Sequence, residues 1–183
     1  MGNNYNEESG LSQYNFKEAV KRYDIAIEKK PSDIQRRFRK VRFCLRHKHY
    51  EEVIEECDIL LKLRPDSPYS HELKGELLYN LHRYKEAIEE YDIAIKLYPY
   101  NPSPHNNRGK SLYNLHRYEE AIEEYDIAIK LYPDVSSYHF NKGVALFNLN
   151  RHKEAIEEYD ITIQLNPDWS APFIIWTVIK WNI

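Results

Sequence analysis

The side chains in this sequence best suited to chemistry are four adjacent-glutamate pairs that recur every 34 residues, eight histidines, two cysteines and one arginine-rich run. Paired carboxylates act as general acid and base only where their surroundings push two pKa values apart. Glu55–Glu56, Glu89–Glu90, Glu123–Glu124 and Glu157–Glu158 sit instead in amphipathic runs with other charges, so both members of each pair are expected on a solvated face. His82 and His116 occupy a short turn in which Asn150 stands at the equivalent place, which points to turn geometry and not to a metal. His47 and His49 have no further ligands in register. Two cysteines make neither a disulfide framework nor a zinc set, and Cys44 and Cys57 are expected as buried fillers. There is no Ser–His–acid arrangement and no phosphate cradle. No catalytic residue, metal or cofactor is expected, and the chain reads as something other than an enzyme.

The arginine-rich run has a different use. Between Gln35 and Lys48 there are seven Lys or Arg residues and no acid. Arg39, Arg42 and Arg46 are spaced by three and four, so they share one helix face and could hold a carboxylate by forked hydrogen bonds. The charge is local: 26 Lys plus Arg against 29 Asp plus Glu leave no global basic field, and nucleic-acid binding is not expected. The N-terminus lacks the basic and apolar regions of a secretory signal, and no apolar stretch is long enough to span a membrane. A reducing, cytoplasmic setting is expected.

A strict period supplies the elements that must position these residues. Pro31, Pro65, Pro99, Pro133 and Pro167 are each 34 residues apart, and Gly75, Gly109 and Gly143 repeat the interval. So do Ala87, Ala121 and Ala155, and Tyr91, Tyr125 and Tyr159. Such self-similarity marks stacked supersecondary units. Within one unit Tyr84, Ala87, Ile88, Tyr91 and Ile95 follow helical spacing, and a preceding helix covers about Ser70 to Leu81. Their short connection makes an antiparallel hairpin, and each proline ends the second helix. The small residues mark close helix crossings. The second unit departs by compensation: Val41 and Leu60 add volume where Cys44 and Cys57 remove it. The only composition cue beyond this is the scarcity of glycine, five in all, which favours helix over sheet.

The run GKSLYNLHRYEEAIEEYDIAIKLYP, Gly109 to Pro133, closely resembles the tetratricopeptide repeat. The resemblance covers about residues 15–169, and it implies an all-α, right-handed α-solenoid of antiparallel helix–turn–helix units. The expected organisation is a weakly ordered segment 1–13, a partial unit 14–33, full units 34–67, 68–101, 102–135 and 136–169, and an apolar C-terminal capping helix 170–183. His71, His105 and His139 stand where the family often has tryptophan, and Lys74, Arg108 and Lys142 where it often has leucine.

The resemblance further implies that the first helix of each hairpin lines a concave groove for a partner polypeptide, with the second helices behind. One groove column reads Arg39, Leu73, Asn107, Asn141 and another Arg46, Asn80, Asn114, Asn148. Side-chain amides both donate and accept, so a ladder of them suits the backbone of an extended peptide; capping is the alternative role for the second column. A third column holds Leu45, Tyr79, Tyr113 and Phe147, either recognition surface or core. The fourth reads Arg42, Glu76, Lys110, Val144. The lysine, asparagine and arginine set with which some members clamp chaperone C-termini is not reproduced. The expected role is a scaffold that binds a partner protein or peptide, one with acidic groups if the arginines take part.

The last segment, PFIIWTVIKWNI from Pro172, is apolar all round. Phe173 and Trp176 suit capping of the last unit, which leaves Ile174, Ile175, Val178, Trp181 and Ile183 to be covered. A homodimer, a partner's groove and a longer natural chain are the three readings of that surface, and self-assembly is the alternative role for the protein.

Overall fold

The computed structural model describes residues 4–169, with side chains from Asn15 onward. All the regular structure among them is α-helical. The helices fall into two compact units, Met1–Pro65 and Asp66–Ile183. The first contains α1 (Asn4–Glu28), α2 (Ile34–Arg46) and α3 (Tyr50–Leu63). The second contains α4 (Pro68–Asn80), α5 (Tyr84–Leu97), α6 (Pro102–Asn114), α7 (Tyr118–Leu131), α8 (Ser136–Asn148) and α9 (His152–Leu165).

The helix boundaries follow from local chemistry. Asp33, Ser67 and Asn101 accept backbone N–H bonds at the starts of α2, α4 and α6, and Pro68 and Pro102 occupy first-turn positions where no donor is needed. Each first helix ends on a left-handed residue: Lys48, His82, His116 and Asn150 have φ of 59°, 60°, 59° and 58°. In the His82 and His116 turns, Arg83 N–H bonds Leu78 C=O and Arg117 N–H bonds Leu112 C=O, which satisfies carbonyls the helix would otherwise orphan. Glycine usually takes this position. His82 and His116 recover part of the backbone cost because each Nδ1 is hydrogen-bonded to a tyrosine two residues on, at 2.6 Å to Tyr84 and 2.7 Å to Tyr118. Turn geometry therefore does select these histidines.

In the second unit, three hairpins stack so that each second helix packs on the first helix of the next, while α4 neighbours α6 and α6 neighbours α8. Its core is Ala87, Ala121 and Ala155 with Leu78, Leu112 and Leu146, all at most 2 % exposed. A Cβ added at Gly75, Gly109 or Gly143 would lie 2.6 Å from the ring of Tyr91, Tyr125 or Tyr159, so the glycines are required by ring-on-backbone packing. The first unit solves the same crossing differently. Val41, Cys44, Cys57 and Leu60 are all buried, neither cysteine is disulfide-bonded, and burial pushes the Cys44 thiol up to about 11. They act as core volume.

Two expectations about the termini need comment. The helix of α1 begins at Asn4, so the backbone of residues 4–13 is helical within the segment 1–13 expected to be weakly ordered. Once a helix is nucleated, extending it costs little per residue. The apolar segment with Ile174, Ile175, Val178, Trp181 and Ile183 lies outside the described residues.

Candidate functional site

Each hairpin is locked by a buried ionic network that sequence reasoning missed. His105 Nδ1 lies 2.8 Å from a Glu124 carboxylate oxygen, and Arg108 pairs with the other oxygen and with Asp92, the latter at 2.6 Å. His139 and Lys142 hold Glu158 at 2.7 and 2.6 Å, and Lys142 reaches Asp126 at 2.7 Å. His71 and Lys74 hold Glu90, both at 2.7 Å. In the first unit Arg37 and Lys40 hold Glu56 at 2.9 and 2.7 Å, and Lys40 reaches Asp24 at 2.7 Å.

These contacts correct the reading of the acidic pairs. Glu55, Glu89, Glu123 and Glu157 are exposed as expected, but Glu56 and Glu124 are buried and Glu90 and Glu158 half-buried. Adjacent helical residues point about 100° apart, so one member of each pair turns inward. The histidine and Lys or Arg columns that depart from the family pattern are their partners. A signal did exist in the sequence: the column 24, 58, 92, 126 is acidic throughout, and in the four full units the column 56, 90, 124, 158 is acidic and 40, 74, 108, 142 basic. Because both oxygens of each inward glutamate are held by histidine, lysine or arginine nitrogens, these groups hold helices together and are poorly placed for acid–base catalysis.

The last of these networks makes stability pH-dependent. His139 is pushed above its ordinary 6.5 by its hydrogen bond to Glu158, against the opposing effect of burial, and by Pro133 C=O, which accepts from Nε2 at 2.9 Å. Burial would raise the Glu158 carboxyl, but hydrogen bonds from His139 and Lys142 outweigh it and hold it below its ordinary 4.5. The His139 contribution is complete below pH 6.5 and is lost as pH rises through the raised folded-state value. The Glu158 contribution is complete above pH 4.5 and is lost as pH falls through the depressed one. Urea unfolding of the protein should therefore show α8–α9 most stable between these limits, and His139→Gln should flatten the alkaline limb. An unchanged alkaline slope in that variant would refute the assignment.

Of the residues expected to line a groove, Tyr79, Lys110, Tyr113 and Asn141 share one cavity in the second unit. Tyr79, Lys110, Tyr113, Tyr125, Phe140, Asn141 and Val144 surround a cavity of about 170 Å³. The Lys110 ammonium lies 4.9 Å from the centroid of the Tyr79 ring. The asparagine ladder is engaged within the protein: Asn107 Nδ2 donates to Glu76 at 3.3 Å and Asn141 Nδ2 to Asn106 at 2.9 Å. Asn114 Nδ2 donates to the Tyr79 hydroxyl at 3.2 Å and to Lys110 C=O at 2.8 Å, and Asn148 Nδ2 to the Tyr113 hydroxyl at 3.1 Å and to Val144 C=O at 2.8 Å. These amides fasten one first helix to the next, and Asn80 at the end of α4 is exposed. Tyr79 and Tyr113 are half-buried; Tyr79 packs edge-on against Tyr84 at 5.5 Å and Tyr113 packs tilted against Tyr118 at 5.3 Å, while Phe147 is 40 % exposed beside His152. The aromatic column is thus both packing and surface.

In the first unit the arginines of α2 divide by face. Arg36 pairs with Asp33 at 3.0 Å, and Arg37 and Lys40 belong to the Glu56 network. Arg39, Arg42 and Arg46 are exposed, have no ion pair among the described residues, and line with Tyr23 and Phe43 a cleft of about 220 Å³. Tyr23 and Phe43 support one another at 5.4 Å. No group of histidine, cysteine and acidic side chains among the described residues could hold a metal ion, and no described helix is long and apolar enough to cross a membrane.

Comparison with known proteins accords with this architecture. A family model described as tetratricopeptide repeat matches residues 106–168, and a second, described as TPR repeat, matches residues 75–116. A search of curated proteins gives no significant match. Among solved structures, MamA from Desulfovibrio magneticus is 20 % identical, covers 90 % of this chain and 93 % of its own, and superposes with a TM-score of 0.76. YrrB, described as a TPR protein with an unusual peptide-binding site, is 19 % identical over 90 % of this chain and 85 % of its own, with a TM-score of 0.75. The first TPR of Spaghetti (RPAP3), bound to the HSP90 peptide SRMEEVD, is 23 % identical over 63 % of this chain and 91 % of its own, with a TM-score of 0.62. At these identities the likeness concerns the fold, and together with the two matched repeat models it shows that the chain belongs to the tetratricopeptide repeat family.

Proposed function

We propose that the chain is a non-catalytic scaffold that binds a segment of a partner polypeptide along the first helices of the hairpins in its second unit. The carrying observation is the strip on α4, α6 and α8, where Tyr79, Lys110, Tyr113, Asn141 and Val144 open onto one cavity while the ionic networks occupy the interior. The arginine face of α2 is a separate candidate contact on the first unit, suited to acidic groups of a partner because the charges of Arg39, Arg42 and Arg46 lack a counterpart among the described residues. Two relatives in fold are described with peptide ligands or peptide-binding sites, which supports the same class of role here.

Selection of a displayed random-peptide library on the immobilised full chain tests this. The expected result is enrichment of peptides rich in Asp and Glu whose affinity falls more than about tenfold in the Arg39→Gln, Arg42→Gln, Arg46→Gln variant, since each forked charge pair is worth about 1.5–3 kcal/mol. Stability of that variant should stay within about 0.5 kcal/mol of the parent, as expected for exposed side chains without partners. Unchanged affinity would remove the acidic partner, and no enrichment over an uncoated surface would remove peptide binding altogether.

A further inference from the structure

We propose that the cavity between α6 and α8 is an anchor pocket for a single aromatic side chain of the partner, a tyrosine by preference, with a carboxylate next to it in the partner. This rests on the peptide-binding reading above and gives that site its selectivity.

Size comes first. Small-molecule sites usually exceed about 300 Å³, whereas an apolar cavity of about 150 Å³ holds one benzene ring. At about 170 Å³ this pocket has room for one ring and little else. Its walls are the rings of Tyr79, Tyr113 and Phe140 with the Val144 side chain, surfaces that favour an aromatic guest packed edge to face.

Tyr125 carries the more specific signal. It is 2 % exposed and lines the cavity, and its hydroxyl has no hydrogen-bond partner among the described residues. The hydroxyls of Tyr79 and Tyr113 differ, because each accepts from an asparagine one hairpin on. Burial, and then the neighbouring Tyr79 and Tyr113, push the Tyr125 phenol well above its ordinary value, so at neutral pH it is a neutral group able to donate. An apolar guest would leave that donor dry and unpaired, whereas a guest phenol pairs with it. This is the reason for tyrosine over phenylalanine.

Lys110 sets the charge beside the pocket. Its ammonium stands over the Tyr79 ring and contacts Asn107 Oδ1 at 3.4 Å, and it has no ion pair among the described residues. Glu76 feels its charge. An incoming carboxylate adjacent to the anchored ring would complete the coordination of Lys110 without displacing an existing ion pair.

Three side-chain analogues test this on the full chain by NMR titration: 4-hydroxyphenylacetate, p-cresol and toluene. Saturable shifts confined to the residues of the cavity are expected, with affinity falling in that order by about fivefold at each step, the worth of one ordinary hydrogen bond or partly screened charge pair. Val144→Trp, which fills the cavity, should abolish all three. Tyr125→Phe retains the packing and should erase the advantage of p-cresol over toluene, and Lys110→Gln should erase that of the carboxylate. Absence of saturable shifts, or an undiminished p-cresol preference in Tyr125→Phe, would overturn the pocket. If library-selected peptides bind the parent and Val144→Trp equally, the pocket is wrong while peptide binding stands. If no peptide is selected, peptide binding fails independently of the fragment result.

Discussion

Gly109→Val alone should destabilise the array by about 3 kcal/mol, the upper end for overpacking a filled core, because even the first carbon of a side chain meets the Tyr125 ring at 2.6 Å. Tyr125 is 2 % exposed and lies in a cluster with Leu112, Ala121, Ala145 and Leu146, so the ring can shift only by moving these neighbours or by entering the cavity it lines. Tyr125→Cys alone should cost a similar amount through the cavity it leaves. The double variant should cost less than the sum by about 1–3 kcal/mol, the coupling expected of residues in contact. The protein already contains this exchange, for Val41 and Cys57 occupy the corresponding places in the α2–α3 hairpin and are both buried. Urea unfolding of the four proteins closes the cycle. Strict additivity would mean that Val41 and Cys57 do not compensate one another.

The second large effect concerns the inward glutamates. Glu124→Ala should cost about 3 kcal/mol, since removing one member of a buried ion pair strands the others. His105 would lose its hydrogen-bond partner, and Arg108, whose side chain is 24 % exposed, would keep only Asp92. Replacing all three together, as His105→Phe, Arg108→Leu and Glu124→Leu, should recover most of that loss, because well-packed apolar groups often equal a buried ionic network in stability. Circular dichroism in urea measures both. A loss below about 1 kcal/mol for Glu124→Ala would show that water reaches the network and screens it, as it does for ordinary surface pairs.

That network also marks where reasoning from repeats fell short. A column that stays apolar among near-identical hairpins, such as Leu78, Leu112 and Leu146, marks packing. The same logic applied to charged columns would have exposed the network. Glu124, Arg108 and Asp92 belong to columns of constant sign, and constancy among near-identical hairpins signals a shared contact whatever the residue type. The asparagines gave the opposite error of emphasis. Asn114 and Asn148 suit a peptide backbone by chemistry, but a tyrosine hydroxyl of the preceding hairpin lies within their reach.

By itself the sequence determined the hairpins, their 34-residue period, their boundaries and the all-helical class, because caps, turns, prolines and amphipathic spacing act over a few residues and each is written in the chain where it works. Only the tertiary structure decided which of two adjacent glutamates turns inward, which asparagine is already spent on a neighbouring helix, and that Tyr125 lines a cavity. Those outcomes join residues 16, 19 or 35 positions apart across helix crossings. A modest rotation of one helix about its axis would reassign every such partner while leaving the sequence pattern unchanged.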